Sequence, residues 1–235
     1  MENQFSRTQM LLGSSGLEKL ASARVAIFGV GGVGGYVAEA LARCGVGALD
    51  LIDDDVVSLS NLNRQIIATH STLGKPKVEV AAARIRDINP NCKVTVHKLF
   101  FLPQTAGEID FLQYDYIVDA IDTVTAKIAL IQAAKESGVP VISSMGAGNK
   151  LDPTRFRVSD ISKTHTDPLA KVMRIKLKQL GIRKVKVVWS DEVPITPLKE
   201  EKPENSQKRS PGSVAFVPSV AGMILSSEVV KDLLE

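Results

Sequence analysis

The sequence contains 235 residues, of which 44% are hydrophobic and 23% are charged, and its formal net charge is +3. This composition provides enough apolar side chains for a buried core and argues against a disordered chain. The small net charge does not by itself indicate nucleic-acid binding. The polar amino terminus is unlike a signal peptide. The longest apolar stretch, residues 214–225, is too short to span a bilayer. We therefore expect a cytoplasmic protein without a membrane partner.

Strand and helix signals alternate along most of the chain. Short apolar runs predict strands at residues 24–28, 48–52, 94–99, 116–121, 139–143, 156–160 and 184–190. Helical patterns cover residues 36–43, 75–89, 126–137, 167–180 and 217–234. Strands that alternate with helices of this length are typical of βαβ units. We therefore predict an α/β fold with a Rossmann-like, doubly wound and mostly parallel sheet.

A glycine-rich loop follows the first predicted strand. Gly29, Gly31 and Gly34 fit the pattern G-x-G-x-x-G directly before a helix, and Gly32 lies within the same loop. Such glycines allow a tight turn and a close approach to phosphate, and the helix amino terminus offers free N–H groups. Asp53 ends the second strand, where an acid accepts from a ribose hydroxyl. The loop therefore predicts a nucleotide site, and the glycines alone would favour NAD.

The segment after the second strand is unlike that of a dehydrogenase. Residues 53–65 read DDDVVSLSNLNRQ and hold three acids, two asparagines, an arginine and a glutamine. Arg64 suits a triphosphate, because its guanidinium binds phosphate oxygens in pairs, and Lys77 can add a second cation. Asp122 follows the strand YIVDAI, where its carboxylate could hold Mg²⁺. This combination of acids and cations favours an enzyme that promotes attack on the α-phosphate of a nucleotide over one that transfers a hydride.

These motifs carry a family resemblance. The segment GVGGVGGYVAEALARCGVGALDLIDDDVVSLSNLNRQ, the GKPK around Lys77 and the DAIDT ending at Thr123 closely resemble the ThiF/MoeB/ubiquitin-activating (E1) superfamily. The resemblance implies an E1-like adenylation fold, ATP with Mg²⁺, adenylation of a carboxylate and a homodimer. It also implies a single domain over residues 1–235, with an ATP-binding half at 1–150. Residues 151–235 would form a substrate-side extension with antiparallel strands, and the charged segment 197–212 a mobile loop.

The resemblance assigns roles to individual residues. Gly32 would lie against the phosphates, Asp53 would bind the ribose and Asp122 would serve the metal. Arg7 resembles an arginine that reaches into the site of the partner subunit. The expected catalytic residues are Arg7, Arg64, Lys77 and Asp122. The expected nucleotide-binding residues are Gly29, Gly31, Gly32, Gly34, Asp53, Asp55, Asn61, Arg64, Lys77 and Asp122.

The second half of the chain narrows the resemblance. Residues 144–148, 151–154, 158–164 and 167–170 resemble the branch of this superfamily that dehydrates threonylcarbamoyladenosine in tRNA. That reaction needs no enzyme cysteine, and the chain has no cysteine after Cys92. Activators of sulfur-carrier and ubiquitin-like proteins often use a later cysteine, so thioester chemistry is disfavoured. The alternative function is activation of the carboxyl terminus of a small protein. The sequence does not decide whether a sulfur-transfer protein is also a partner. A nicotinamide-dependent oxidoreductase is a third hypothesis.

A basic helix supports tRNA as the partner. Lys171, Arg174 and Lys178 would lie on one face of the helix at 167–180. The apolar face is predicted to contain Leu169, Met173, Leu177 and Leu180, and the flanking cations are Lys163, Arg183, Lys184 and Lys186. Such a basic face can neutralise phosphates. A merely solvated helix face is the alternative interpretation.

Overall fold

Seven short, largely apolar segments of the chain pair into one sheet. A computed structural model describes residues 3–198 and 211–235. The strands are β1 (Arg24–Phe28), β2 (Ala48–Ile52), β3 (Lys93–His97), β4 (Tyr116–Asp119), β5 (Val141–Ser144), β6 (Phe156–Asp160) and β7 (Lys186–Ser190). Five of them, β1, β2, β4, β5 and β7, consist almost wholly of buried residues, as expected for strands with both faces covered.

The strand order is β3-β2-β1-β4-β5-β7-β6. All neighbours run parallel except β6 and β7, which form one antiparallel pair. The predicted doubly wound, mostly parallel sheet is therefore confirmed, and its antiparallel extension is the single strand β6. The chain order reverses direction between β1 and β4, and ligands of such sheets bind in the crevice at the carboxyl ends of those strands.

Helices cover both faces of the sheet. They are α1 (Ser6–Ser22), α2 (Gly34–Cys44), α3 (Lys77–Ile88), α4 (Val124–Glu136), α5 (Pro168–Gln179) and α6 (Phe216–Leu234). Alternate residues of β1 enter two cores, Val25 and Ile27 on the face of α2, α3 and α6, and Ala26 and Phe28 on the face of α4 and α5. Among the described residues, no helix is both long and apolar enough to cross a membrane.

One feature of the fold differs from the sequence-based expectation. Helix α1 was not predicted, because its segment contains Gly13, Ser14, Ser15 and Gly16, which are weak helix formers, and its backbone departs from helical geometry at Gly13. It is stabilised by packing on α6, where a Cβ on Gly16 would lie 3.4 Å from a methyl group of Leu234. The loop predicted at 197–212 lies mostly outside the described residues.

Candidate nucleotide site

The glycine loop lies where β1 ends and α2 begins. Gly29 has a φ of +88°, and a Cβ there would lie 2.7 Å from the carbonyl oxygen of Ala120. A Cβ on Gly34 would lie 1.8 Å from the carbonyl oxygen of Gly29, so neither position tolerates a side chain. Within the described residues, no side chain caps the amino terminus of α2. Its free N–H groups and dipole can therefore receive a phosphate.

Asp53 fixes the loop to the end of β2. Its Oδ2 accepts a hydrogen bond from the Val30 amide at 2.6 Å, and its Oδ1 accepts one from the Asp55 amide at 2.9 Å. Burial raises the pKa of Asp53, and the charge of Lys77 and the hydrogen bond from Val30 oppose that rise. The predicted ribose acid thus lies beside the glycine loop, as its proposed role requires.

Asn61 and Arg64 lie on the turn that follows β2. Asn61 is buried, and its Oδ1 accepts from the Ser58 amide at 3.0 Å, which fixes the turn. The guanidinium of Arg64 donates to the Ser60 carbonyl and to Asn63 Oδ1, both at 2.9 Å. A Cβ on Gly32 would lie 3.5 Å from Arg64 Cγ, so the arginine is next to the glycine loop.

Gln65 has an unsatisfied buried acceptor. The side chain is 6% exposed, and its Oε1 has no hydrogen-bond partner among the described residues. Its Nε2 would lie 3.8 Å from a Cβ on Gly31. Because a buried acceptor without a partner is costly, this atom fits a ligand group that donates a hydrogen bond, such as a hydroxyl or an amino group. The sequence prediction assigned Gln65 no role, although it lies in the same motif.

Lys77 is directed into the site from the start of α3. Its side chain is 7% exposed, and its Nζ lies 2.5 Å from Oδ2 of Asp55, whose side chain is 65% exposed. The Lys77 amide also donates to the Asp55 carbonyl at 2.9 Å, which fixes the start of the helix at this edge. The structure therefore brings together Gly32, Asp53, Arg64 and Lys77 as the sequence predicted.

Asp122 lies on the loop after β4, next to the glycine loop. Its carboxylate is exposed and accepts from Thr123 Oγ1 at 3.2 Å. The loop is held by a fully buried ion pair in which Lys127 Nζ lies 2.9 Å from Asp119 Oδ2. Lys127 also donates to the Ile121 carbonyl at 3.1 Å. This buried pair was not predicted from the sequence.

A cluster of acids adjoins the site. Among the described residues, the one group of three potential metal ligands is Asp53, Asp54 and Asp55, whose ligand atoms lie within 4.8 Å of one another. Asp122 does not belong to this group. The donor set is carboxylate oxygen, which is the chemistry that Mg²⁺ prefers.

Arg7 lies away from the site of its own chain. It is exposed near the start of α1, and the neighbouring Phe5 ring would lie 3.5 Å from a Cβ on Gly45. Gly45 ends α2, whose 11 residues separate it from the glycine loop by about 16 Å. Arg7 therefore does not join the other predicted catalytic residues within one chain.

The basic helix α5 differs in part from the prediction. Lys171 and Lys178 are exposed, but Arg174 is half-buried and donates to the Thr164 carbonyl at 2.7 Å and to its Oγ1 at 2.6 Å. Leu180 was assigned to the apolar face and is 53% exposed, because it lies beyond the last turn of the helix. Lys186 was counted as a flanking cation and instead pairs with Asp232 at 2.7 Å.

Neither cysteine is suited to thiolate chemistry. Burial raises the pKa of Cys44, and it raises the pKa of Cys92 to about 11. Cys44 is the last residue of α2 and Cys92 directly precedes β3, so both lie at the amino edge of the sheet, opposite the nucleotide site. Thiolates at neutral pH require a lowered pKa.

The fold and site together define an enzyme class. A doubly wound sheet with a glycine loop, an arginine and a lysine near that loop, and a cluster of acids is the architecture of an E1-like adenylating enzyme. The profile of the ThiF family matches residues 5–235. The chain therefore belongs to the ThiF family.

The most informative relatives share one activity. The chain is 49% identical to the tRNA threonylcarbamoyladenosine dehydratase of Bacillus subtilis over 244 aligned positions, covering 100% of this chain and 96% of the relative. It resembles the crystal structure of the Escherichia coli dehydratase in complex with ATP, with a TM-score of 0.89 and 37% identity over 98% of this chain and 93% of the other. The same enzyme in complex with AMP gives a TM-score of 0.88 and 38% identity over 98% and 94%.

Proposed function

We propose that this protein is an ATP-dependent dehydratase of threonylcarbamoyladenosine in tRNA. The observation that carries the proposal is the pair of cations at the switch point of the sheet: Arg64 lies against Gly32 of the glycine loop, and Lys77 pairs with Asp55 next to Asp53. The orphaned acceptor of Gln65 fits a nucleotide there. Similarity over nearly the full length of the Bacillus subtilis dehydratase supports the choice of substrate.

The chemistry follows from the charges at the site. A carboxylate is a poor electrophile, so its oxygen first attacks the α-phosphate of ATP, which forms an acyl adenylate and releases pyrophosphate. Arg64 and Lys77 stabilise the charge that develops on the phosphates. An atom of the threonylcarbamoyl group then attacks the activated carbonyl and loses its proton, and AMP leaves. The ring closes with a net loss of water, so neither a protein nucleophile nor a sulfur-transfer partner is required.

Mg²⁺ would be held by carboxylates at this edge of the sheet. Asp122 is its proposed ligand, and the acids at 53–55 are near enough to one another to share a cation. When bound, Mg²⁺ would offset phosphate charge. Asp122→Asn should raise the Mg²⁺ concentration required for half-maximal turnover. An unchanged Mg²⁺ dependence would remove Asp122 from this role.

A homodimer would complete the site with the partner's arginine. Phe5, two residues before Arg7, packs on Gly45 at the far end of α2 from the glycine loop, so we assign Arg7 to a site on another chain. Met10 and Leu11 follow it on α1 and are 83% and 88% exposed, as expected for an interface. Mixing the inactive variants Arg7→Ala and Arg64→Ala should restore up to a quarter of the activity. Mixtures without activity would contradict sharing of the site.

The tRNA would lie against α5, with Lys171, Arg174 and Lys178 near its phosphates. A tRNA substrate also assigns the reaction to the cytoplasm. Activation of a protein carboxyl terminus is the second candidate, because the adenylating residues would serve either carboxylate. The raised pKa values of both cysteines disfavour the thioester chemistry that often accompanies it.

Nucleoside mass spectrometry tests the proposal directly. Threonylcarbamoylated tRNA is incubated with the protein, Mg²⁺ and ATP, digested and analysed. The modified adenosine should lose the mass of one water only when ATP is present, and Arg64→Ala should prevent the loss. If the mass is unchanged while ATP still binds, the adenylating fold stands and the tRNA substrate is wrong.

A further inference from the structure

A second buried lysine–aspartate pair lies on the substrate side of the sheet. Lys150 Nζ is 2.7 Å from Asp167 Oδ2, and the two side chains are 1% and 0% exposed. Burying two charges costs free energy that their attraction does not always recover, and a pair of apolar residues often stabilises a fold as well. The pair therefore calls for an explanation beyond stability.

Lys150 also binds the loop that follows β5. Its Nζ donates to the Gly146 carbonyl as well as to Asp167. Gly146 packs against the same carboxylate, since a Cβ there would lie 3.1 Å from Asp167 Oδ2. The loop at residues 145–149 is at the carboxyl edge of the sheet, beside the strand that leads to Asp122. The ammonium group of Lys150 thus fixes this loop through the Gly146 carbonyl and the Asp167 carboxylate.

Asp167 connects the same ammonium group to α5. Its Oδ1 accepts from the Ala170 amide at 2.9 Å, so Asp167 caps the amino terminus of the helix. Its two carboxylate oxygens therefore have different partners: one orients α5 and the other binds Lys150. Arg174, about two turns after Asp167, donates hydrogen bonds to Thr164 and fixes the segment before the helix. The exposed Lys171 and Lys178 lie on α5, and the Lys150–Asp167 pair connects this helix directly to the loop at residues 145–149.

We propose that the Lys150–Asp167 pair is a positioning device that sets the distance between tRNA held on α5 and the carboxyl edge where ATP lies. This inference rests on the proposed tRNA function. Neither residue needs to contact a substrate. Because a displacement of about 1 Å can slow a reaction about a hundredfold, a stiff connection between the two binding surfaces has a large effect on turnover.

The test separates this connection from the helix cap. Asparagine at position 167 can still cap α5, so the double variant Lys150→Met/Asp167→Asn removes both charges and the connection but retains the cap. ATP affinity, tRNA affinity, melting temperature and kcat at saturating substrates are measured for each protein. We expect ATP and tRNA dissociation constants within about threefold of the wild type, and kcat lowered at least about tenfold.

The contrasting variant is Lys127→Met/Asp119→Asn, which removes the other buried pair of the same chemical kind. Because that pair holds the loop of Asp122, it should weaken binding of ATP with Mg²⁺ and leave tRNA affinity unchanged. The inference is overturned if the Lys150 variant retains wild-type kcat, or if its kcat falls only in proportion to the fraction of folded protein. It is also overturned if both variants weaken ATP binding to the same extent. A wild-type protein that removes no water from modified tRNA would instead overturn the proposed function.

Discussion

Lys77 Nζ lies 2.5 Å from Asp55 Oδ2, and this ion pair lies at the entrance to the nucleotide site. The lysine is almost fully buried while the aspartate is largely exposed, so the ammonium group extends from the protein interior toward solvent. A triphosphate that binds Lys77 must share it with Asp55 or displace that carboxylate. If Lys77 binds the triphosphate as proposed, ATP and the Asp55 carboxylate compete for the same ammonium group.

Replacing Lys77 should separate ATP binding from AMP binding. A charge-assisted hydrogen bond contributes about 2 kcal/mol, so Lys77→Met should raise the ATP dissociation constant roughly thirtyfold. The AMP dissociation constant should change less than about threefold, because AMP lacks the phosphates that Lys77 is proposed to bind. Isothermal titration calorimetry measures both.

Lys98→Met is the matched control for this prediction. Lys98 also pairs with a carboxylate, that of Glu79 in α3, but both side chains are about half exposed. Exposed pairs of this kind contribute little to stability, so this variant should bind both nucleotides as the wild type does. Equal weakening of ATP and AMP in Lys77→Met would contradict contact with the terminal phosphates.

Arg64 should be sensitive even to a conservative change. Its guanidinium is oriented by the Ser60 carbonyl and Asn63 Oδ1, and a planar fork binds phosphate in a way that an ammonium group cannot. Arg64→Ala should lower the rate of tRNA dehydration by a factor of about 10² to 10³. Arg64→Lys should recover only part of that loss, and Arg86→Ala, a change at an exposed arginine of α3, should have no effect. Full activity of Arg64→Lys would show that charge alone is sufficient.

Local sequence patterns predicted the sheet well. The bounds of β1 and β2 agree with the prediction, because apolar runs between clear turn signals leave few alternatives. Helix α1 could not be predicted in the same way. Its glycines and serines disfavour a helix locally, and its stability comes from contacts with α6, which lies at the other end of the chain.

The site was predictable only where its residues share a motif. The glycine loop, Asp53 and Arg64 lie within one segment of the chain, so their spacing predicted that they would lie together. Lys127 follows the pattern of an ordinary helical lysine, and only the fold shows that it is fully buried against Asp119. The role proposed for Gln65 likewise depends on burial, because only the three-dimensional fold leaves its acceptor without a partner.

Asp53 should make the stability of the nucleotide-free protein dependent on pH. Burial raises the pKa of Asp53 in the folded state, so the folded protein retains this proton to a higher pH than the unfolded chain. The stability that this group contributes is present below its unfolded pKa of about 3.9 and is lost as pH rises through the raised value. Asp53→Asn does not ionise, so the free energy of unfolding of the variant relative to the wild type should increase from pH 4 to pH 7.

Chemical denaturation across this range measures the difference. The same variant should bind ATP more weakly at pH 7, because asparagine is a poorer acceptor for the ribose hydroxyls. Both results would be explained if ionised Asp53 lowers the stability of the nucleotide-free protein and strengthens ATP binding. A constant difference in stability between pH 4 and pH 7 would show that Asp53 ionises alike in the folded and unfolded states.

The salt dependence of tRNA binding should distinguish the free cations of α5 from a paired one. Each lysine that neutralises a phosphate contributes about one unit to the slope of log K against log salt. Lys171→Ala and Lys178→Ala together should therefore reduce the slope by about 2, and adding Arg174→Ala should reduce it further. Lys186→Ala should leave the slope unchanged, because Asp232 already neutralises Lys186. If Lys186→Ala reduces the slope as much as Lys171→Ala does, the tRNA is held by a diffuse positive field, and the face of α5 has no special part in binding.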